Sequence, residues 1–155
     1  AALFIDYGEW QSLGDTLQAL SNHAPVNPLA NPGSADLTAH VDFEALVRGL
    51  TTQCSGLTPQ GVFLERLGIT ARAQTLAQGL SGQALERHVV AHRRLTHPTE
   101  MGTLFKVVGL TPEGASPIPG LNTCPSRPSK RTSCAIPDMG FSRAKGVRHR
   151  VYLPG

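Results

Sequence analysis

Ala1-Ala2-Leu3-Phe4-Ile5 is an unbroken apolar run that stops abruptly at Asp6-Tyr7-Gly8. A short continuous run, as opposed to an alternating one, predicts a strand buried on both faces of a parallel sheet. Ligands of open α/β sheets sit beyond the carboxyl ends of the strands, so Asp6 is expected on the lip of a cleft. Tyr7 would stack on a ligand or simply pack, and Gly8 would relieve the backbone at the strand end. The remainder of such a cleft is expected upstream of Ala1.

Charge divides the 155 residues unevenly. Residues 1–111 carry seven Lys/Arg against nine Asp/Glu, whereas residues 112–155 carry seven against two. The net charge of +3 is thus a property of the tail, and the slightly acidic remainder offers no basic stripe with interleaved aromatics. A nucleic-acid partner is not expected. No run of eighteen apolar residues predicts a membrane span. Cys54, Cys124 and Cys134 are odd in number and widely spaced, which fits a reducing compartment and neither a disulfide scaffold nor a zinc ribbon.

After Gly8 comes a long polar stretch, residues 9–40, punctuated by Pro25, Pro28, Pro32 and Gly33. It reads as a functional loop, with one or two helical turns over Gly14-Asp15-Thr16-Leu17-Gln18-Ala19-Leu20. Asp42 predicts an N-cap, since Phe43, Leu46, Val47 and Leu50 follow at helical spacing and Val41 can staple onto Leu46. Residues 53–60 read as a short strand with its turn. Val62, Phe63 and Leu67 open a helix that Gly68 ends. Thr70 is placed as the cap of a helix over residues 71–78, and Ser81 as the cap of one over residues 83–94 that Pro98 closes. Met101 to Leu110 reads as one strand returning to the sheet of Leu3, Phe4 and Ile5. Seven of the twelve prolines fall in residues 112–155, which predicts a disordered or weakly docked tail.

The chemistry-bearing residues have competing structural roles. Asp6 is either a cleft carboxylate or a turn acid, and Asp42 is fully explained by capping. His40 either faces the cleft or does not take part. His88 and His92, one helical turn apart, could bind zinc with His97, but Arg87, Arg93 and Arg94 would repel a cation and H-E-x-x-H is missing. No metal site is expected. The sequence contains no G-x-S-x-G, G-x-x-x-x-G-K-[ST] or G-x-G-x-x-G. Cofactor-binding residues are therefore not expected in this chain.

Five ordered strings carry a resemblance: Ala2-Leu3-Phe4-Ile5-Asp6-Tyr7-Gly8, Gly14-Asp15-Thr16-Leu17-Gln18-Ala19, Asp36-Leu37-Thr38-Ala39-His40-Val41-Asp42-Phe43, Gln60-Gly61-Val62-Phe63-Leu64 and Met101-Gly102-Thr103-Leu104-Phe105-Lys106-Val107. Together they resemble the C-terminal half of the MidA-type S-adenosylmethionine-dependent methyltransferases, whose mitochondrial members assist respiratory complex I assembly by methylating a protein arginine. The resemblance covers residues 1–111 and implies the C-terminal part of a Rossmann-like class I methyltransferase sheet. That α/β fold would carry inserted helices, with residues 3–5 a late parallel strand and residues 103–108 a closing antiparallel one. Residues 112–155 match nothing in the family.

The S-adenosylmethionine-binding loop would lie upstream of Ala1, leaving this piece inactive alone. For an arginine acceptor, carboxylates that pair with a guanidinium are the useful groups. Asp6 and then Asp42 become the catalytic candidates, with Tyr7, His40 and Gln60 shaping the acceptor pocket. The expected partner is a protein substrate, a respiratory complex I subunit among the candidates, in the bacterial cytoplasm or the mitochondrial matrix. The contrasting expectation is a non-catalytic interaction or assembly module that keeps only the substrate side.

Overall fold

The computed structural model describes residues 1–123. In chain order the elements are β1 (Ala2–Glu9), β2 (Gln18–Ser21), β3 (Ala24–Val26), β4 (Asp36–Thr38), β5 (Val41–Asp42), α1 (Phe43–Val47), β6 (Gln53–Cys54), β7 (Thr58–Pro59), α2 (Gln60–Arg66), α3 (Ile69–Ala77), α4 (Gly82–Thr96), α5 (Met101–Leu104) and β8 (Phe105–Thr111). Two compact units result. Among the described residues, one comprises Ala1–Ser12 with residues 41–123; the other is Leu13–His40.

The larger unit is a mixed sheet in the order β5-β1-β8-β6, with β7 also pairing with β8. Strand β8 runs antiparallel to β1 from Ala2↔Leu110 to Tyr7↔Phe105, so the expected return of this strand to the sheet of residues 3–5 is found. Its opposite edge pairs with β6 at Cys54↔Leu110 and with β7 at Thr58↔Val107. Between these two short pairings, Ser55 N–H donates to the Gly109 carbonyl at 2.8 Å while its Oγ accepts from Gly109 N–H at 2.9 Å. A hydroxyl thereby completes the ladder where the strand is interrupted.

β8 is paired along both edges. Successive strand residues point to opposite faces, and its two central valines seed two cores. Val108 joins Leu110, Phe43, Val47 and Leu57 on one face; Val107 joins Phe63 and Leu121 on the other. The burial expected of the N-terminal run belongs to β8. In β1, Leu3, Phe4 and Ile5 are 43%, 37% and 44% exposed. Their only ladder among the described residues is the antiparallel one with β8, because parallel pairing to β5 begins at Gly8↔Val41. An apolar run records a strand's capacity for burial, but burial also needs layers on both faces.

Asp42 caps α1 as expected: its Oδ1 accepts from Ala45 N–H at 2.8 Å. The helix is shorter than the apolar spacing implied, because Arg48 turns extended. Phe43 and Val47 are buried while Leu46 and Leu50 remain exposed, so the proposed Val41–Leu46 staple is replaced by Val41 packing on the Phe43 cluster. α2 ends before Gly68, whose φ of 82° breaks it. α3 then starts at Ile69, two residues earlier than a Thr70 cap requires, and the Thr70 hydroxyl donates to Glu65 at 2.7 Å instead. Ser81 precedes α4 as its N-cap residue but makes no side-chain capping bond.

The strand expected from Met101 is also corrected, since Met101–Leu104 forms a helical turn before β8. Gly102 sits beneath the end of α4, where a Cβ would lie 2.1 Å from the Thr96 carbonyl oxygen. Close backbone approach, legible only in three dimensions, favours the turn there. Of the tail, residues 112–123 are described: Leu121 is buried and Ile118 packs beside it against Phe63 and Val107. Residues 124–155 lie outside the described residues.

The smaller unit replaces the expected loop with a three-stranded antiparallel sheet, β3-β2-β4, and no helical turn forms over residues 14–20. Asn22 and His23 close the β2–β3 hairpin with φ of 48° and 61°. Two consecutive positive φ values are what a tight hairpin needs, and Asn-His is a weaker sequence signal for them than Asn-Gly. Pro25 is accommodated because β3 is an edge strand.

Candidate functional site

The carboxyl end of β1 is where sequence, topology and charge converge. Here Gly8 and Glu9 run parallel to Val41 and Asp42, so two strands end side by side. Gly8 is required for this: a Cβ would fall 2.1 Å from the Val41 carbonyl oxygen. Beyond the strand, the Trp10 carbonyl accepts from Glu44 N–H at 2.7 Å, and Gln11 donates to the Glu44 carboxylate at 2.8 Å. The chain after β1 is thus stitched to the first turn of α1.

The carboxylates at this end are held differently. Asp42 uses both oxygens internally: Oδ1 accepts from Ala45 N–H and Oδ2 from Ser12 N–H at 3.2 Å. Hydrogen bonds from Ala45 and Ser12 hold its carboxyl below the usual aspartate range against the opposing effect of burial, with the Arg48 charge a lesser help. Glu44 is engaged by Gln11 and lies 3.5 Å from Arg48. Asp6, expected where the strand stops, instead lies within β1, which runs on to Glu9; it is exposed, and its Oδ1 accepts from the neighbouring Tyr7 N–H at 2.8 Å. Glu9 is mostly exposed, yet Lys106 Nζ donates to its Oε1 at 2.9 Å.

Lys106 is the unusual member. Its side chain is 6% exposed, and it also donates to the Thr103 carbonyl at 2.8 Å. In the β1–β8 register it stands opposite Asp6. A lysine inside Phe105-Lys106-Val107-Val108 needs an anion close by, because burying an unpaired ammonium is prohibitively costly. That interruption of an apolar strand is the sequence signal for Lys106, and nothing in the sequence marks Glu9 as its partner.

The other expected site residues are dispersed. Tyr7 stacks edge-on against Phe105 with ring centroids 5.7 Å apart. Gln60 is buried at the start of α2, its Nε2 donating to the Leu95 carbonyl at 3.0 Å, which ties α2 to α4. His40 belongs to the smaller unit, where its N–H donates to Thr16 Oγ1 at 3.1 Å. His88 and His92 join α4 to α3 through the Ala73 carbonyl and the Thr70 hydroxyl, at 2.9 and 3.0 Å. Among the described residues, no group of three His, Cys, Asp or Glu is placed to hold a metal ion, and no helix is long and apolar enough to cross a membrane.

S-adenosylmethionine requires a cradle for its nucleoside, with backbone N–H groups and an acid for the ribose. The larger unit has an open groove of about 660 Å³ lined by residues including Gln53, Cys54, Thr111, Leu121 and Asn122. The smaller unit has a shallow one of about 310 Å³ along Asn22, Ser34 and Asp36. Neither supplies a glycine-rich strand-to-helix turn. The described residues do not by themselves fit the cofactor, and the end of β1 collects carboxylates and one ammonium.

Residues 1–63 match a family model described as "Putative S-adenosyl-L-methionine-dependent methyltransferase". The mitochondrial protein arginine methyltransferase NDUFAF7 homolog of Drosophila melanogaster is 39% identical over 116 residues, covering 72% of this chain and 26% of that protein. Danio rerio NDUFAF7 is 31% identical over 146 residues, covering 92% and 32%. A solved COG1565 superfamily structure from Burkholderia thailandensis, bound to S-adenosyl-homocysteine, superposes with a TM-score of 0.62 at 28% identity, covering 76% of this chain and 33% of that one. A second from the same organism gives 0.63 at 29% identity, covering 76% and 34%. The chain spans about a quarter to a third of the length of these curated relatives. With the ordered strings, the shared mixed α/β fold and these matches, the chain belongs to the MidA-type family of S-adenosylmethionine-dependent methyltransferases.

Proposed function

We propose that the protein to which this chain contributes transfers a methyl group from S-adenosylmethionine to an arginine of a protein substrate. The observation that carries this reading is the 39% identity over 116 residues to a protein named as an arginine methyltransferase. It is supported by carboxylates collected at the carboxyl end of β1, where a guanidinium would be bound and oriented. The cofactor supplies an electrophilic methyl on a sulfonium; the part this chain can play is to place the acceptor nitrogen. Positioning of that kind is a large share of catalysis for a displacement needing little other help.

The relatives are named as mitochondrial proteins, which supports the mitochondrial matrix over a bacterial cytoplasm as its location. The family resemblance extends the proposal to a respiratory complex I subunit as acceptor. Because the described residues offer no nucleoside cradle, the isolated chain is expected to be inactive, which is the sense in which the assembly-module reading survives. Incubating the full-length protein with methyl-labelled S-adenosylmethionine and arginine-containing substrate, followed by mass spectrometry, tests the reading. Methylarginine is expected; cofactor binding without methylarginine would leave only the fold.

A further inference from the structure

We propose that Glu9, fixed by buried Lys106, is the carboxylate that receives the acceptor guanidinium. This rests on arginine being the acceptor, as proposed above. Four carboxylates lie near the ends of β1 and β5, and three are poorly suited to the task alone. Both oxygens of Asp42 serve backbone N–H groups. Glu44 is committed to Gln11 and Arg48. Asp6 is exposed and, among the described residues, is held only by its own following N–H. Glu9 combines exposure with a fixed orientation: its side chain is 61% exposed, while Oε1 is anchored to an ammonium that is itself 6% exposed.

Lys106 is a positioning residue in this arrangement. Its second bond, to the Thr103 carbonyl, fixes the ammonium from below, so Glu9 is held without losing its outer oxygen to another described side chain. Asp6, opposite Lys106 in the register, leaves the trio with one negative charge in excess. A monocation with planar donors complements that excess, and a carboxylate already oriented loses less entropy on pairing. A neutral side chain gains neither advantage.

The test uses the full-length protein, saturated with S-adenosylhomocysteine, and calorimetric binding of an arginine peptide and its citrulline counterpart. Loss of a charge-assisted hydrogen bond predicts that Glu9→Gln weakens the arginine peptide by about tenfold or more, with citrulline affinity little changed. The amide oxygen can still accept from Lys106, and Asp6 opposite it in the register keeps an anion on the same strand pair, so the fold should persist. Lys106→Met should weaken arginine binding less and keep the preference for arginine over citrulline. If Glu9→Gln is too unstable to measure, Glu9→Asp takes its place, and weaker binding with the preference retained is expected. Wild-type affinity and preference in the Glu9 variant would overturn the assignment. If wild type forms methylarginine while Glu9→Gln retains full preference, only Glu9 is wrong; if wild type prefers neither peptide and forms no methylarginine, the arginine reading falls with it.

Discussion

Gly102 lies directly beneath the carbonyl of Thr96, the last residue of α4, and Gly61 approaches the same oxygen from α2. Added Cβ atoms would stand 2.1 and 2.4 Å from it. Three helices thus converge on one backbone atom, leading the chain into β8 and setting the position of Lys106.

Replacing Gly102 with alanine should force backbone apart and destabilise the larger unit by about 1–3 kcal/mol. Gly56→Ala is the control, since nothing lies within 4 Å of its added Cβ. Urea unfolding should show a lowered midpoint for Gly102→Ala only. Equal midpoints would mean that the close approach relaxes freely.

Asp42→Ala should cost about 1 kcal/mol through loss of the cap on α1. The native carboxyl titrates below the usual aspartate range, so its contribution is fully present above the unfolded value and is lost as pH falls through the lower, folded one. The gap between wild type and variant in urea midpoints should therefore be full at about pH 6 and shrink toward about pH 2.5. A gap that widened with acid would contradict this sign.

The exposed strip of β1 makes a physical prediction for the isolated chain. Leu3, Phe4 and Ile5 lie on a strand whose second edge carries no ladder partner over residues 2–6 among the described residues, an arrangement that invites strand-to-strand association. Phe4→Lys should reduce concentration-dependent light scattering without altering the far-UV circular dichroism. Unchanged scattering would place the sticky surface elsewhere.

In the full-length protein, Asp6→Asn is expected to lower turnover strongly while cofactor affinity stays within about twofold, because the change touches the acceptor side and not the nucleoside. Rapid-quench assays and calorimetry separate the two quantities. Unaltered turnover would remove Asp6 from the candidate site.

Much of the local structure could be read directly from residues. Asp42 caps because a short acid before Phe43 and Val47 satisfies a free N–H wherever that pattern occurs. Gly68 separates two helices because only a positive φ allows the break there. The three-stranded unit was less legible: Asn22-His23 adopts hairpin dihedrals without the usual glycine, and Pro25 hides an edge strand within what looks like loop composition.

The order of types along the chain determined which segments are apolar, which are capped and which family the five strings indicate, since these depend on neighbours within a few residues. Only the tertiary structure decided which apolar run is interior. β8 is buried because strands flank both its edges and side chains cover both its faces, whereas the equally apolar start of β1 is not. It likewise decided which acid is anchored. Glu9 and Lys106 are 97 residues apart, and no periodicity links them; the antiparallel pairing of β1 and β8 brings carboxylate and ammonium to 2.9 Å.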